Sequence, residues 1–264
     1  MKLSICIDIL FFGQDFFPAL EKVKTIGFDH YEMWSLGDHP LGIGAKNKDI
    51  GAIAEEAERL GMTCAACLGP FSDLTNVAGH ADFLRDFRSD VAKAKRLNCP
   101  TIIVILGGAG EPTDPNGTTE AAIKVLREAA KIAESEGITI ALEPLNSRVD
   151  HKNSILTHAA DGFAIVDAVN SPAMKLLYDI YHLQIMDGNV TETIISNLDS
   201  IIHLHVAGVP GRHELVPGEL DYRFVLQKVA EAGYEHYVGL EYDPTKDPLE
   251  SLKEMRTLLA GVVC

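Results

Sequence analysis

The stretch Ile138 to Pro144, ITIALEP, constrains this chain more than any other part of it. Side chains along a β-strand alternate between two faces. Ile138, Ile140 and Leu142 take one face, bulky and apolar, suited to packing under helices. Thr139, Ala141 and Glu143 take the other, small or polar, and end in an acid at the C-terminal tip. The design recurs downstream. Lys175 to Asp179 (KLLYD) ends in Asp179. Ile202 to Val206 (IHLHV) sets Ile202, Leu204 and Val206 against His203 and His205. Tyr237 to Glu241 (YVGLE) sets Val238 and Leu240 against Gly239 and Glu241. Four successive strands thus each bring one group of metal-ligand type to their ends, away from the apolar face.

The rest of the chain alternates in the same way. Strands are expected at Leu3 to Ile7 (Ser4, Cys6 and Asp8 on the inner parity), His30 to Met33, Thr63 to Leu68 and Thr101 to Leu106. Helices are expected at Phe17 to Ile26, Asp49 to Leu60, Phe83 to Leu97, Thr118 to Ser135, Ala159 to Val169, Val190 to Leu198, Tyr222 to Ala232 and Pro248 to Leu259. Gly27, Gly61 and Gly137 close three of them, the usual helix stop. Eight strands alternating with eight helices imply a parallel sheet. The chain has 264 residues, 47% of them apolar, enough for a full core. The expectation is one α/β domain over residues 1–264, a single (β/α)8 TIM barrel. An open doubly wound sheet is the runner-up, but no G-x-G-x-x-G follows the first strand. Ligands at the ends of strands five to eight converge only if those ends ring one mouth. The glycine- and proline-rich GGAGEPTDPNG, Gly107 to Gly117, reads as a mouth loop.

Charge and cysteine usage narrow the function. A net charge of −15 disfavours nucleic acid, whose binding needs Lys and Arg to neutralise phosphates. No apolar run reaches the roughly 18 residues of a membrane span. The N-terminal apolar run carries Asp8 and lacks a small-residue cleavage site, so it reads as a strand rather than a signal peptide. Five scattered cysteines suggest a reducing compartment, hence the cytoplasm. Cys64 and Cys67 form a C-x-x-C, but a strand points positions three apart to opposite faces, and no helix N-terminus follows to lower the Cys64 pKa. A redox role is therefore disfavoured.

Carboxylates and one imidazole suit a divalent cation; the oxygens favour Mg2+ or Mn2+, and the histidine tilts the set toward Mn2+, Co2+ or Zn2+. Such an ion polarises a carbonyl and holds an adjacent hydroxyl, which acidifies the C–H between them. A glutamate on each side can then remove and return a proton through an enediolate. Taken singly, each residue reads as readily as a surface ion pair; the shared strand-tip parity argues for a site. Glu32, ending the second strand, is a candidate substrate contact, with a lysine ion pair as the alternative. Trp34 reads as a pocket wall or a cap on the barrel, His151 as a residue lining the mouth or, more readily, a solvated loop histidine, and His203 as a hydrogen-bonded core histidine.

Five motifs carry a resemblance: LEPLNSRVDH (Leu142 to His151), LLYDIYHLQIMDGN (Leu176 to Asn189), HLHVAGVPGRHE (His203 to Glu214), GELDY (Gly218 to Tyr222) and GLEY (Gly239 to Tyr242). In this order they resemble the hydroxypyruvate isomerase family, within the sugar isomerase and ketose 3-epimerase group that shares its barrel with endonuclease IV. The resemblance runs from about Leu3 to about Leu259. It implies that Glu143 and Glu241 are the catalytic acid–bases, and that they bind the metal with Asp179 and His205. It implies that His182 sits over the substrate oxygens and that Arg212 faces the substrate's far end. The expected partner is a small hydroxy-carbonyl substrate, with no nucleic acid and no membrane; a homo-oligomer is compatible with the chain. Ketose 3-epimerisation and keto-polyol dehydration are the alternative reactions. An endonuclease would need three zinc ions, hence more histidine ligands, and a basic face.

Overall fold

The computed structural model describes residues 1–39, 41–107 and 119–263. Beyond Gly107, the stretch expected as a mouth loop lies outside the described residues, as do Thr118 and Cys264. Eight parallel strands close into a barrel in sequence order. They are β1 (Lys2–Cys6), β2 (His30–Met33), β3 (Thr63–Leu68), β4 (Thr101–Ile105), β5 (Thr139–Glu143), β6 (Met174–Asp179), β7 (Ile201–Val206) and β8 (Tyr237–Leu240). The eight expected helices are present: α2 (Phe16–Thr25), α3 (Ile50–Leu60), α4 (His80–Arg96), α5 (Thr119–Glu136), α6 (Ala159–Val169), α8 (Val190–Ser196), α9 (Tyr222–Glu231) and α10 (Pro248–Leu259). Two short helices were not expected, α1 (Ile7–Leu10) and α7 (Ile180–Met186), each starting directly at a strand's end.

The strand parity places the core where the sequence indicates. Ile140 and Leu142 face outward under the helices and are fully buried. Each contributes about 1.5–3 kcal/mol of hydrophobic stabilisation. Ala66, Ile103, Ala141 and Leu177 form a separate small cluster. Those residues share the inward parity of the strand tips, so they are the plug beneath the mouth. Ala141 lies two residues before Glu143, and Leu177 two before Asp179, so the plug and the acids occupy successive levels of the barrel.

Helix caps then aim the chain at the mouth. Asp49 accepts from Ala52 N to start α3, and Gly61 ends it in the left-handed conformation at φ 63°. Asp179 caps α7, its Oδ1 accepting from Tyr181 N at 2.8 Å. That bond occupies one carboxylate oxygen and leaves Oδ2 toward the barrel mouth. The expectation that Asp8 continues the inward face of the first strand needs correcting. The strand ends at Cys6, and Asp8 turns into α1. There its Oδ1 accepts from Lys48 Nζ and Ala45 N, both at 2.9 Å, and its Oδ2 from Trp34 N at 2.7 Å. This buried ion pair fastens both ends of the segment between β2 and α3. Cys64 and Cys67 lie buried within β3 as free thiols, and burial pushes the Cys64 pKa up. A thiol so placed is a poor nucleophile.

Candidate metal centre and active site

Four side chains meet at the C-terminal mouth of the barrel. Glu143 ends β5, Asp179 ends β6, His205 lies near the end of β7 and Glu241 directly follows β8. All four are buried, and their ligand atoms lie within 4.8 Å of one another. His205 Nδ1 is 3.1 Å from Glu241 Oε2 and 3.6 Å from Glu143 Oε1. Two residues called as candidates, His182 and Arg212, also line this cavity, whose volume is about 450 Å³. Its outer walls are largely apolar, with Leu41, Phe71, Ile105 and Val149 among them.

Glu32 does not line the cavity. It sits beneath His205 instead. Its Oε2 lies 2.8 Å from His205 Nε2, and its Oε1 lies 3.0 Å from His203 Nε2 and accepts from the Ser4 hydroxyl. Burial opposes its ionisation, yet His203 and His205 outweigh that and hold its carboxyl below the usual range. Nε2 is paired with the Glu32 carboxylate, which leaves Nδ1 as the ring atom that can give up its proton to a metal. His205 Nδ1 is buried and faces Glu241 Oε2 and Glu143 Oε1. It points among carboxylates as a metal ligand must. Gly239, the inward residue of β8, makes this packing feasible, because a Cβ there would lie 2.7 Å from His205 Cδ2. His203 is a hydrogen-bonded core histidine, as expected.

Charge in this cluster is lopsided. Glu32, Glu143, Asp179 and Glu241 are acidic, and among the described residues Arg212 is the arginine or lysine that reaches two of them, Glu241 and Asp179. Burial pushes Asp179 up to about 7, with Arg212 and His205 opposing and Glu143 and Glu241 reinforcing. Burial would lower the His205 pKa, but Glu241 and Glu32 outweigh it and raise it well above the ordinary value. Both shifts show a buried site short of positive charge, which is costly unless compensated. A divalent cation fits the donor set, the geometry and the charge.

Arg212 stands against the acids rather than out at the rim. Its guanidinium donates to Glu241 Oε2 at 2.6 Å, lies 3.8 Å from Asp179 Oδ2, and covers the Tyr181 ring at 5.4 Å. The turn after β7 holds it at φ 60°, with Arg212 N donating to Gly208 O and Asp243 N donating to Arg212 O. A left-handed non-glycine residue costs about 1–3 kcal/mol and persists where surrounding structure over-determines it. Glu214, from the same PGRHE stretch, is structural: it accepts from Ser251 Oγ and from Thr245 N and Oγ1, tying this turn to the segment after Glu241.

Sequence reasoning missed other participants. Trp34 lines the cavity, as its pocket-wall reading has it, and does more: its indole Nε1 donates to Glu241 Oε1 at 2.7 Å. Of the two readings of His151, the mouth-lining one holds: it lines the cavity and packs edge-on to His182 at 5.3 Å between ring centroids. Asn146 touches His182 itself, at 2.7 Å. The WSL and LNS contexts contain no spacing that would have revealed these contacts, since each partner lies on another strand or loop.

A closed parallel barrel whose strand tips bring three acids and an imidazole together defines a class, that of barrels with a candidate metal centre at the mouth, and comparison with known proteins narrows it. The description "Xylose isomerase-like TIM barrel" matches residues 20–259. The chain is 35% identical to a human protein named putative hydroxypyruvate isomerase, over 97% of this chain and 95% of that one. It is 30% identical to a 2-oxo-tetronate isomerase of Haemophilus influenzae, over 95% and 96% of the two chains. Among solved structures, it superposes with a TM-score of 0.85 and 26% identity on a Brucella melitensis protein titled AP endonuclease, family 2, covering 95% and 96% of the chains. The chain belongs to the xylose isomerase-like TIM-barrel family, in its hydroxypyruvate isomerase branch. It is an isomerase. Among the described residues, no helix is long and apolar enough to cross a membrane.

Proposed function

We propose that this enzyme interconverts a small 3-hydroxy-2-oxo acid of the hydroxypyruvate type and its 2-hydroxy-3-oxo isomer, with Glu143 and Glu241 moving the proton. One observation carries the reading: both carboxylates flank Nδ1 of His205, at 3.6 and 3.1 Å, in one buried cavity. The names of the two curated relatives support it, because both denote isomerases of 2-oxo acids.

Glu143, Asp179, His205 and Glu241 would hold one divalent cation, Mn2+ or Mg2+ ahead of Co2+ or Zn2+. When bound, the ion draws electrons from the carbonyl and the neighbouring hydroxyl oxygen and so acidifies the C–H between them. One glutamate takes the carbon-bound proton, which leaves an enediolate, and a glutamate returns a proton to the adjacent carbon. The hydroxyl proton moves between the two oxygens, so atoms balance without a co-reactant. Trp34 and Arg212 restrain Glu241 from opposite oxygens, and both contacts favour its charged form. His182 faces the cavity and binds a substrate oxygen. Arg212 grips the substrate carboxylate, a planar group that a guanidinium matches. The apolar outer walls keep water from the enediolate.

The test is turnover in D2O with added Mn2+ or Mg2+, comparing hydroxypyruvate-type acids with neutral ketoses. Interconversion of the acids with deuterium entering carbon is expected. Faster epimerisation of ketoses at carbon 3 would move the assignment to a ketose 3-epimerase, and loss of water would move it to a dehydratase. DNA cleavage is disfavoured by the net charge of −15.

A further inference from the structure

Asn146 lies in the loop after β5, is fully buried, and stands outside the four-residue cluster. Its Oδ1 accepts two backbone N–H groups, from Val149 at 2.9 Å and Asp150 at 3.1 Å. These donors settle which way round the amide sits, since the reverse would press its NH2 against both. Nδ2 therefore holds the other two contacts, Asp150 Oδ2 and His182 Nδ1, each at 2.7 Å. An amide N–H can be accepted only by a bare ring nitrogen. His182 is thus neutral, with its proton on Nε2. That atom is buried, lies 3.5 Å from Asp179 Oδ2, and has no hydrogen-bond partner among the described residues. His182 lines the cavity, so a buried donor is left for whatever binds there.

We propose that Asn146 is a positioning residue that locks His182 in its Nε2–H tautomer, making it a neutral hydrogen-bond donor to the substrate's reacting oxygen. The proposal rests on the isomerase reading above. A neutral imidazole stabilises a developing oxyanion without adding a cation beside Arg212, and neutral histidine serves as an electrophile in other proton-transfer isomerases. Asp150 anchors the lock, because its Oδ2 also accepts from the Tyr181 hydroxyl at 2.7 Å. Tyr181 in turn lies under Arg212. One short loop thereby sets the orientation, tautomer and charge of His182.

The experiment is NMR of the Mg2+-loaded protein carrying 15N-labelled histidine, with His182 identified by its absence in His182→Gln. The wild type is expected to show a protonated Nε2 and a bare Nδ1. Asn146→Asp keeps an acceptor for the two backbone N–H groups and replaces the amide donor with an oxygen. His182 should then carry a proton on Nδ1, and kcat should fall about a hundredfold, the scale of a positioned proton-transfer group, with KM little changed. Asn146→Ser, which removes the donor without burying a charge, should lose the single tautomer and lower kcat in the same direction. A wild-type His182 protonated on Nδ1, or on both nitrogens, overturns the proposal even if neither variant folds. So does an unchanged spectrum, or an unchanged kcat, in a folded variant. A wild type that turns over no oxo acid would overturn the reaction assignment instead, because the spectrum decides the tautomer without turnover.

Discussion

Glu32→Gln should weaken metal binding although Glu32 is not one of the four clustered ligands. The carboxylate accepts from His205 Nε2 at 2.8 Å through one oxygen; the other takes His203 Nε2 at 3.0 Å and the Ser4 hydroxyl. An amide keeps one acceptor oxygen and turns the other position into a donor. The oxygen belongs where two donors meet, beside His203 and Ser4, which leaves the NH2 facing His205 Nε2. That imidazole then keeps its proton on Nδ1, 3.1 Å from Glu241 Oε2, the position from which a metal would have to displace it. One hydrogen bond to a charged group is lost, worth about 1.5–3 kcal/mol, or roughly 10- to 150-fold in an equilibrium constant. Removing the partner of a metal-binding histidine generally costs about 10–100-fold in affinity. The expected Kd for Mn2+ therefore rises by one to two powers of ten, measured by titration calorimetry on chelator-stripped protein. Circular dichroism should show an intact barrel. Unchanged affinity in a folded variant would refute the claim that Glu32 leaves Nδ1 of His205 for a metal.

Three further outcomes follow from the same geometry. Glu143→Gln and Glu241→Gln should each lower kcat more than about a hundredfold, and the double variant should be little worse than either single, since residues acting as a unit are not additive; steady-state rates with metal content measured alongside check this, and near-wild-type rates in either single variant would sink the two-glutamate mechanism. Trp34→Phe keeps the ring and deletes the 2.7 Å bond to Glu241, so kcat/KM should drop by a factor worth about 1.5–3 kcal/mol, and no drop would mean the indole is only a wall. Arg212→Lys keeps the charge and loses the planar fork, so KM should rise more for oxo acids than for neutral ketoses, by about 1–3 kcal/mol; equal effects on both classes would detach Arg212 from carboxylate recognition.

The barrel and the meeting of four side chains of ligand type were legible in the chain because both follow from a local rule. Parity along a strand repeats every two residues, so ITIALEP alone separates Glu143 from Ile140 and Leu142, whatever lies around it. Once eight such strands close in order, their tips must share a mouth. What surrounds the four was decided by closure itself. Glu32 reaches His203 and His205 across the barrel, and the register shifts between Tyr31 and Glu32, which no pattern in HYEM reveals. The helix α7 begins at Asp179 without a turn signal, in an apolar IYHLQIM that also reads as strand; the cap bond from Tyr181 N to Asp179 determines it. Arg212 faces Glu241 because a left-handed residue in the turn after β7 points it inward. Trp34 and Asn146 touch Glu241 and His182 from separate loops. Those contacts depend on distances between segments far apart in sequence, and such distances exist only once the stagger of the closed sheet and the packing of its loops have set them.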